Sequence, residues 1–323
     1  MIIGDSGSYK TFYAIELAMS IATGKPFLGL HSVRQGAVAY VCAEGGGNVK
    51  KRFRASMKFH NICPNRNLLV LPRSYDLMTE EQTGQLISEI ERHLKDNPPV
   101  AVVFDTFARN MRGDENAIKD TRLVLDNAAR LRDRWKCSVI FVHHLGKDAT
   151  RGARGHSNLR CDVDTVIRLE KYDQGIALVH SEKTKDGEHF ADYLVDFPLV
   201  ALTDDSGKPL RDKFGQPIDS LAARPSSTTV ERAKRQKESD QATVQFAAWL
   251  KVVPATESDA RTVKEMLTDF GPSERAMRDR LTQLGSAGHV AVLPETAGRR
   301  GGGAKYYRTA TGNALVIGKE IGQ

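Results

Sequence analysis

Within the first dozen residues, Gly4-Asp5-Ser6-Gly7-Ser8-Tyr9-Lys10-Thr11-Phe12 brings two glycines, a lysine and a hydroxyl to the spacing of a polyphosphate cradle. Gly4 and Gly7 let a tight loop turn its backbone N–H groups inward on a polyphosphate. Lys10 neutralises terminal phosphate charge, and the Thr11 hydroxyl can ligate Mg²⁺. The chemistry indicated is binding of a nucleoside triphosphate such as ATP, with Gly4, Ser6, Gly7, Ser8, Tyr9, Lys10, Thr11 and Phe12 as the nucleotide-binding set. One position departs from the G-x-x-x-x-G-K-[ST] pattern: Tyr9 stands where the second glycine belongs, and its Cβ restricts the backbone there. A Gly/Ser-rich turn that merely precedes a helix is the other reading of this loop.

Three further groups suit the same chemistry. Asp105 closes an apolar run, where a second carboxylate is needed to hold the water shell of Mg²⁺, so Thr11 and Asp105 form the metal set. Taken alone, Asp105 is equally a helix cap after a strand. Glu44, in Ala43-Glu44-Gly45-Gly46-Gly47, can orient or deprotonate water attacking the γ-phosphate, or can be a surface residue of a Gly-rich turn. His143 and His144 end another apolar run; one can sense the γ-phosphate and relay its state to the basic segment 147–160, or both are polar strand ends. No further ligand stands at zinc spacing from them.

Residues like these must be held at one edge of a sheet, and the surrounding sequence supplies one. An amphipathic helix is expected over Thr11–Thr23, a strand over Gly36–Cys42, a basic helix over Asn48–Phe59 and a strand over Asn67–Leu71. A helix over Thr79–Lys95 stops at Asn97-Pro98-Pro99, and Val100–Asp105 follows as a strand. A long helix over Asp114–Trp135 leads to a strand over Ser138–His144. Continuous apolar strands alternating with helices argue an α/β fold with a mostly parallel sheet and right-handed crossovers. Shorter strands at Thr165–Leu169, Gly175–Ser181 and Ala191–Phe197 are expected to extend the sheet antiparallel. Only Met1, Ile2 and Ile3 precede the phosphate loop, so the first strand reads as clipped or unusually short.

Composition narrows the class. The formal net charge of +7 favours a polyanionic partner. No apolar run is long enough to span a bilayer and no leader-like start is present, so a cytoplasmic protein without membrane association is expected. Cys42, Cys63, Cys137 and Cys161 lack C-x-x-C spacing and read as reduced thiols.

Gly4 to Phe12, Ala43-Glu44-Gly45-Gly46, Val103-Phe104-Asp105-Thr106, Phe141-Val142-His143-His144, Arg154-Gly155-His156-Ser157 and Asp164, in this order, resemble the RecA-like P-loop ATPases of the plasmid and phage RepA type, which are similar to hexameric replicative helicases. The resemblance covers roughly residues 1–200. It implies a RecA-like three-layer P-loop NTPase core, in which Glu44 matches the catalytic glutamate, Asp105 the Mg²⁺-associated aspartate and His144 the γ-phosphate sensor. It also implies ATP between subunits of a homo-oligomer, a hexamer by analogy, with cations supplied by a neighbour. Lys183 and Lys185 resemble that pair, with Arg168 and Arg154 as further candidates; a solvent-facing basic turn explains the two lysines equally well.

The C-terminal third is expected to be a small winged helix-turn-helix domain. Residues 204–240, rich in Asp, Gly, Pro, Ser and then charge, read as a flexible linker between an ATPase domain over 1–203 and this second domain over 241–316. Helices over Ala242–Lys251, Ala260–Asp269 and Ser273–Leu284 precede strands over His289–Leu293 and Lys305–Arg308. Arg275, Arg278, Arg299, Arg300 and Lys305 can reach duplex phosphates there, while Arg151 and Arg154 would meet single-stranded DNA in the ATPase ring. The domain serves equally as a protein-docking module. Together these features describe an ATP- and Mg²⁺-dependent DNA helicase or translocase of plasmid, phage or mobile-element replication, or an ATP-binding replication or transcription regulator with little or no hydrolysis.

Overall fold

The computed structural model describes residues 1–42, 46–63, 66–145, 159–160, 162–204, 206–267, 273–294 and 303–320, without the side chains of 46–47, 240, 242–246 and 317–320. The chain forms two compact units, Met1–Val230 and Glu231–Gln323. The first begins β1 (Ile2–Gly4), α1 (Lys10–Thr23), β2 (Ala37–Cys42), α2 (Gly46–Phe59), β3 (Leu68–Leu71), α3 (Glu80–Leu94) and β4 (Pro99–Asp105). After a 3-10 turn at Phe107–Asn110 come α4 (Ile118–Trp135), β5 (Ser138–His144), β6 (Thr165–Asp173), β7 (Ile176–Thr184) and β8 (Tyr193–Asp196). It closes with β9 (Leu199–Ala201), β10 (Asp219–Leu221) and β11 (Arg224–Pro225).

Nine of these strands form one sheet in the order β11-β8-β7-β6-β1-β5-β4-β2-β3. Pairings from β6 through β3 are parallel, whereas β7, β8 and β11 add antiparallel. The expected antiparallel extension therefore starts one strand later than the sequence indicates, because β6 docks parallel to β1, Ile2 opposite Ile167 and Ile3 opposite Arg168. Strand β1 is held from both sides, by β5 and by β6. Pro225, which cannot donate to a ladder, lies on the outermost strand, where no donor is required.

Strand parity divides the core. Val38, Tyr40, Cys42, Ala101, Val103 and Val142 face α1 and α2, whose Ala14, Ala18, Met19, Val49 and Phe53 cover them. The alternate residues Ala39, Val41, Val102, Phe104 and Phe141 face α3 and α4, through Leu86, Ile90, Val124 and Leu131. Each such Val or Leu contributes roughly 1.5–3 kcal/mol by leaving water, which explains why the strands carry unbroken apolar runs. The helix ends follow local chemistry: Thr79 accepts from the Gln82 N–H at the start of α3, and Gly24, at φ 76°, ends α1 by donating to the Ser20 carbonyl. Helix α1 is less amphipathic than its sequence suggests, since Tyr13, Ala14, Ile15, Glu16, Ala18, Met19 and Ser20 are all buried.

The stretch expected as a linker differs most. Residues 203–210 and 211–218 are tandem octads, Thr-Asp-Asp-Ser-Gly-Lys-Pro-Leu and Arg-Asp-Lys-Phe-Gly-Gln-Pro-Ile. Each closes a turn in the same way: Asp204 Oδ1 accepts from the Ser206 and Lys208 N–H groups, and Asp212 Oδ1 from those of Phe214 and Gln216. Leu202, Leu210 and Ile218, eight residues apart, bond in a ring, each N–H donating to the carbonyl of another member. Val200, Leu202 and Ala222 pack with Ala55 of α2, so this module belongs to the first unit. A composition of Asp, Gly, Pro and Ser here encodes turns rather than disorder.

The second unit continues α5 (Val230–Leu250), which begins well before the expected Ala242, into a short 3-10 turn at Glu257–Asp259 and β12 (Arg261–Thr262). It ends with α6 (Val263–Leu267), α7 (Glu274–Ser286), β13 (Val290–Val292), β14 (Lys305–Arg308) and α8 (Ala310–Glu320), the last not foreseen from sequence. The strands form an antiparallel sheet ordered β12-β14-β13, and Ser273 caps α7 by accepting from the Ala276 N–H. Leu250, Val263, Met277, Leu281, Leu284, Val290 and Val316 make the core.

A polar clamp ties α1 to α2. Buried Glu16 accepts from Ser56 Oγ at 3.0 Å and from His60 Nε2 at 3.0 Å, and the same histidine nitrogen lies 3.0 Å from the Ala223 carbonyl. The hydrogen bond to Glu16 raises the His60 pKa above its ordinary 6.5, more than half-burial lowers it. A raised folded-state pKa adds stability that is complete below the ordinary value and is lost as pH rises through the raised one. The melting-temperature gap between the wild type and His60→Ala is therefore expected to be larger at about pH 5.5 than at about pH 8.5; an equal gap at both pH values would refute the charged clamp.

Candidate functional site

The C-terminal ends of β1, β2, β4 and β5 coincide: Cys42 lies opposite Asp105, Asp105 opposite Val142, and Gly4 opposite His144. The loop between β1 and α1 springs from this edge. At Gly4 a Cβ would come within 2.2 Å of the Leu169 carbonyl oxygen and 2.6 Å of Ser8 Oγ, so only glycine fits. Gly7 adopts φ 80° with open space around it, which makes its requirement conformational. The Asp5 carbonyl gathers the loop, accepting from the Ser8 N–H (3.2 Å), Ser8 Oγ (2.9 Å) and Lys10 Nζ (2.6 Å). Lys10 is buried, and its ammonium also lies 3.4 Å from Ser8 Oγ.

Thr11 Oγ1 donates to Asp105 Oδ1 at 3.2 Å, across 94 residues of sequence. The second carboxylate oxygen accepts from Tyr40 Oη at 2.8 Å. Burial and the adjacent Asp105 charge push the Tyr40 hydroxyl pKa well above its ordinary value, so it remains a donor. Motif reading misses Tyr40, although a lone hydroxyl in the otherwise apolar Ala-Val-Ala-Tyr-Val-Cys strand is its signal. Two hard oxygen ligands, a hydroxyl and a carboxylate, touching beside a phosphate loop suit Mg²⁺.

Parity separates the two histidines. His143 shares the orientation of Phe141, meets the Phe107 ring edge-on at 5.5 Å and lies 4.0 Å from Glu115 Oε2. His144, one residue on, takes the α1 side, level with Gly4, and the Leu145 N–H that follows donates to the Gly4 carbonyl. Glu44, Arg151, Arg154, Arg299 and Arg300 lie outside the described residues.

The basic candidates are dispersed. Lys185 follows the end of β7 that pairs with the start of β6, at the sheet edge opposite the phosphate loop, and its Nζ is 3.3 Å from Asp164 Oδ1. Lys183 Nζ donates to the carbonyls of Arg160 (2.9 Å) and Val163 (2.6 Å). Arg168 lies 2.9 Å from Glu170 and 3.9 Å from Glu182. In the second unit Arg275 is exposed, Arg278 pairs with Glu274 at 2.5 Å, and Lys305 begins β14.

Tyr9 has a physical explanation. The position demands the left-handed backbone that glycine adopts freely, and Tyr9 takes it, at φ 66°. Its ring stacks on Phe197 at 4.6 Å and 14°, and its hydroxyl accepts from the Gly175 N–H at 2.8 Å. Left-handed geometry costs a side-chain-bearing residue about 1–2 kcal/mol. Against this, the stack contributes about 0.5–1.5 kcal/mol beyond its apolar burial, and the hydrogen bond about 1 kcal/mol. Packing wins. The expected order of thermal stability is wild type above Tyr9→Gly above Tyr9→Ala, with steps of about 1 kcal/mol, because alanine keeps the strain and loses the anchor. A Tyr9→Gly protein more stable than the wild type in denaturant melts would overturn this account.

No curated protein matches the chain in sequence. Residues 1–150, which carry the loop, Tyr40, Asp105 and both histidines, match the family model of an AAA domain, and this match supports a nucleotide-binding P-loop ATPase.

Proposed function

We propose that the chain is a Mg²⁺-dependent, RecA-like ATPase of the plasmid and phage RepA type, working as a DNA helicase or translocase in plasmid, phage or mobile-element replication. The observation that carries the ATPase part is the contact between Thr11 and Asp105 at the strand edge where Lys10 crosses the loop. Lys10 and the loop N–H groups would bind the phosphates, and Thr11 and Asp105 would hold Mg²⁺. The bound ion would neutralise charge on the β- and γ-phosphate oxygens. Tyr40 fixes the Asp105 carboxylate so that one oxygen keeps facing Thr11. Glu44, two residues beyond the strand end paired with Asp105, orients the attacking water, and His144 reads the γ-phosphate.

Lys185 and Arg168 act on a neighbouring subunit's nucleotide in this reading. The distance of Lys185 from its own phosphate loop, at the opposite sheet edge, supports a role in trans, within a hexameric ring. The second unit is a winged helix: the order helix, strand, helix, helix, strand, strand and the exposed Arg275 support duplex contact by α7. The chain's net charge of +7 agrees with a nucleic-acid partner. No helix among the described residues is long and apolar enough to cross a membrane.

One observation favours the rival, an ATP-binding regulator with little hydrolysis. Arg168 and Lys185 pair with acids of their own chain, and both must leave those partners to serve a neighbour. ATP turnover with and without single-stranded DNA decides. Turnover is expected to be DNA-stimulated, to vanish in Lys10→Ala with loss of nucleotide binding, and to fall about 10²–10⁴-fold in Glu44→Gln with nucleotide affinity retained. Nucleotide binding without turnover in the wild type would establish the regulator.

A further inference from the structure

We propose that α2 and the octad module form a second nucleic-acid contact surface, for a single strand, on the side of the first unit that carries α1 and α2. The inference rests on the reading that the chain handles DNA, but it uses neither the segment 147–160 nor the second unit.

Helix α2 reads Gly-Gly-Asn-Val-Lys-Lys-Arg-Phe-Arg-Ala-Ser-Met-Lys-Phe and contains no acid. Lys50, Arg54 and Lys58 recur every fourth residue, which lines them along one stripe with a rise of about 6 Å between stations. That step is close to the separation of successive phosphates in an extended single strand. All three are exposed. An ordinary solvated helix face carries charges of both signs; this one does not.

The partners of these cations are informative. Arg54 donates to the Thr203 carbonyl at 3.1 Å, and Lys58 donates to the Ala201 carbonyl at 2.6 Å and to Thr203 Oγ1 at 3.2 Å. Neutral acceptors fix the side chains without cancelling their charge. Among the described residues none of the three pairs with a carboxylate. Arg54 and Lys58, with Met57, Ile62, Leu202 and Thr203, line a groove of about 220 Å³ where the octads meet the helix. Its floor is apolar and its two cations are held in place, the combination that accepts a phosphodiester and the edge of a sugar or base.

The octads add what a bare basic helix lacks. At the second turn Phe214 is 75% exposed, with Lys213 Nζ 4.9 Å from its ring centre. Ser206 holds the equivalent position in the first octad, so the turn does not require an aromatic there. Asp204 and Asp212 are exposed as well, but each commits its Oδ1 to turn N–H groups, and Lys208, Arg211 and Lys213 are exposed beside them. An exposed ring beside cations is a stacking surface for an unpaired base. A duplex offers no free base face, which selects the single strand as occupant.

The test uses the full chain, without nucleotide, and a fluorescent oligothymidine titrated at several salt concentrations. Lys50→Glu with Lys213→Glu is expected to weaken binding at least tenfold and to lower the salt slope by about 0.7 for each phosphate no longer neutralised. Phe214→Ala is expected to weaken binding several-fold with the slope unchanged, as removal of a stack should. Arg92→Glu with Arg122→Glu, an equal charge change on α3 and α4, controls for net charge. A 4-thiothymidine oligonucleotide is expected to crosslink to peptides spanning 199–221. Equal losses in the control variant, crosslinks confined to other segments, or equally tight duplex binding with the same variant losses would each overturn the proposal. Lys10→Ala separates this from the ATPase reading: binding of the oligonucleotide should persist in it, whatever becomes of turnover.

Discussion

A buried carboxylate sets the terms for the first unit. Asp105 is 1% exposed, and an ionised acid in that position needs donors to replace its hydration. Thr11 and Tyr40 supply them, one from the helix that leads away from the phosphate loop and one from the neighbouring strand. Both donors must reach the same end of β4 at the same height. This demand fixes the register of β2 against β4, the start of α1 and the side of the sheet on which the loop lies. The aliphatic core supplies most of the stability, but its Val and Ala residues would tolerate a slipped register far better than this cluster does.

The fold was legible where one physical signal acted alone. Continuous apolar strands flanked by periodic helices mark elements whose ends the structure shifts by only a few residues. Reading failed where composition carries two meanings. Asp, Gly, Pro and Ser mark disorder when the sequence is irregular and mark turns when they recur in register, and residues 203–218 recur in register with a period of eight. The departure at Tyr9 was visible, but its compensation was not, because Phe197 and Gly175 lie more than 160 residues away and carry no motif. Likewise, the order of the residues could not say which of His143 and His144 faces α1; strand parity settles it only once the neighbours of Phe141 and Val142 are known. Tyr40 shows a further gap, since a motif records ligands and not the residues that aim them.

The two-sided sheet also divides labour. Its α1 side holds the phosphate loop, Asp105 and, by parity, His144, while His143 and Glu115 meet on the other side. Adjacent residues of one strand thus report to different helix layers, so a displacement at the strand end is felt by both. Tyr9 adds a lateral tie, joining the loop to the turn between β6 and β7 through the Gly175 N–H.

The ring formed by Leu202, Leu210 and Ile218 limits its own growth. Each N–H and carbonyl used in it is consumed by another member, so three stations complete a circle and leave no open edge. Open arrays of short repeats lengthen by duplication because every new copy finds an unpaired neighbour. Here a third octad would find none. The module's reach from the core is therefore set by topology, and variation is confined to the turn tips.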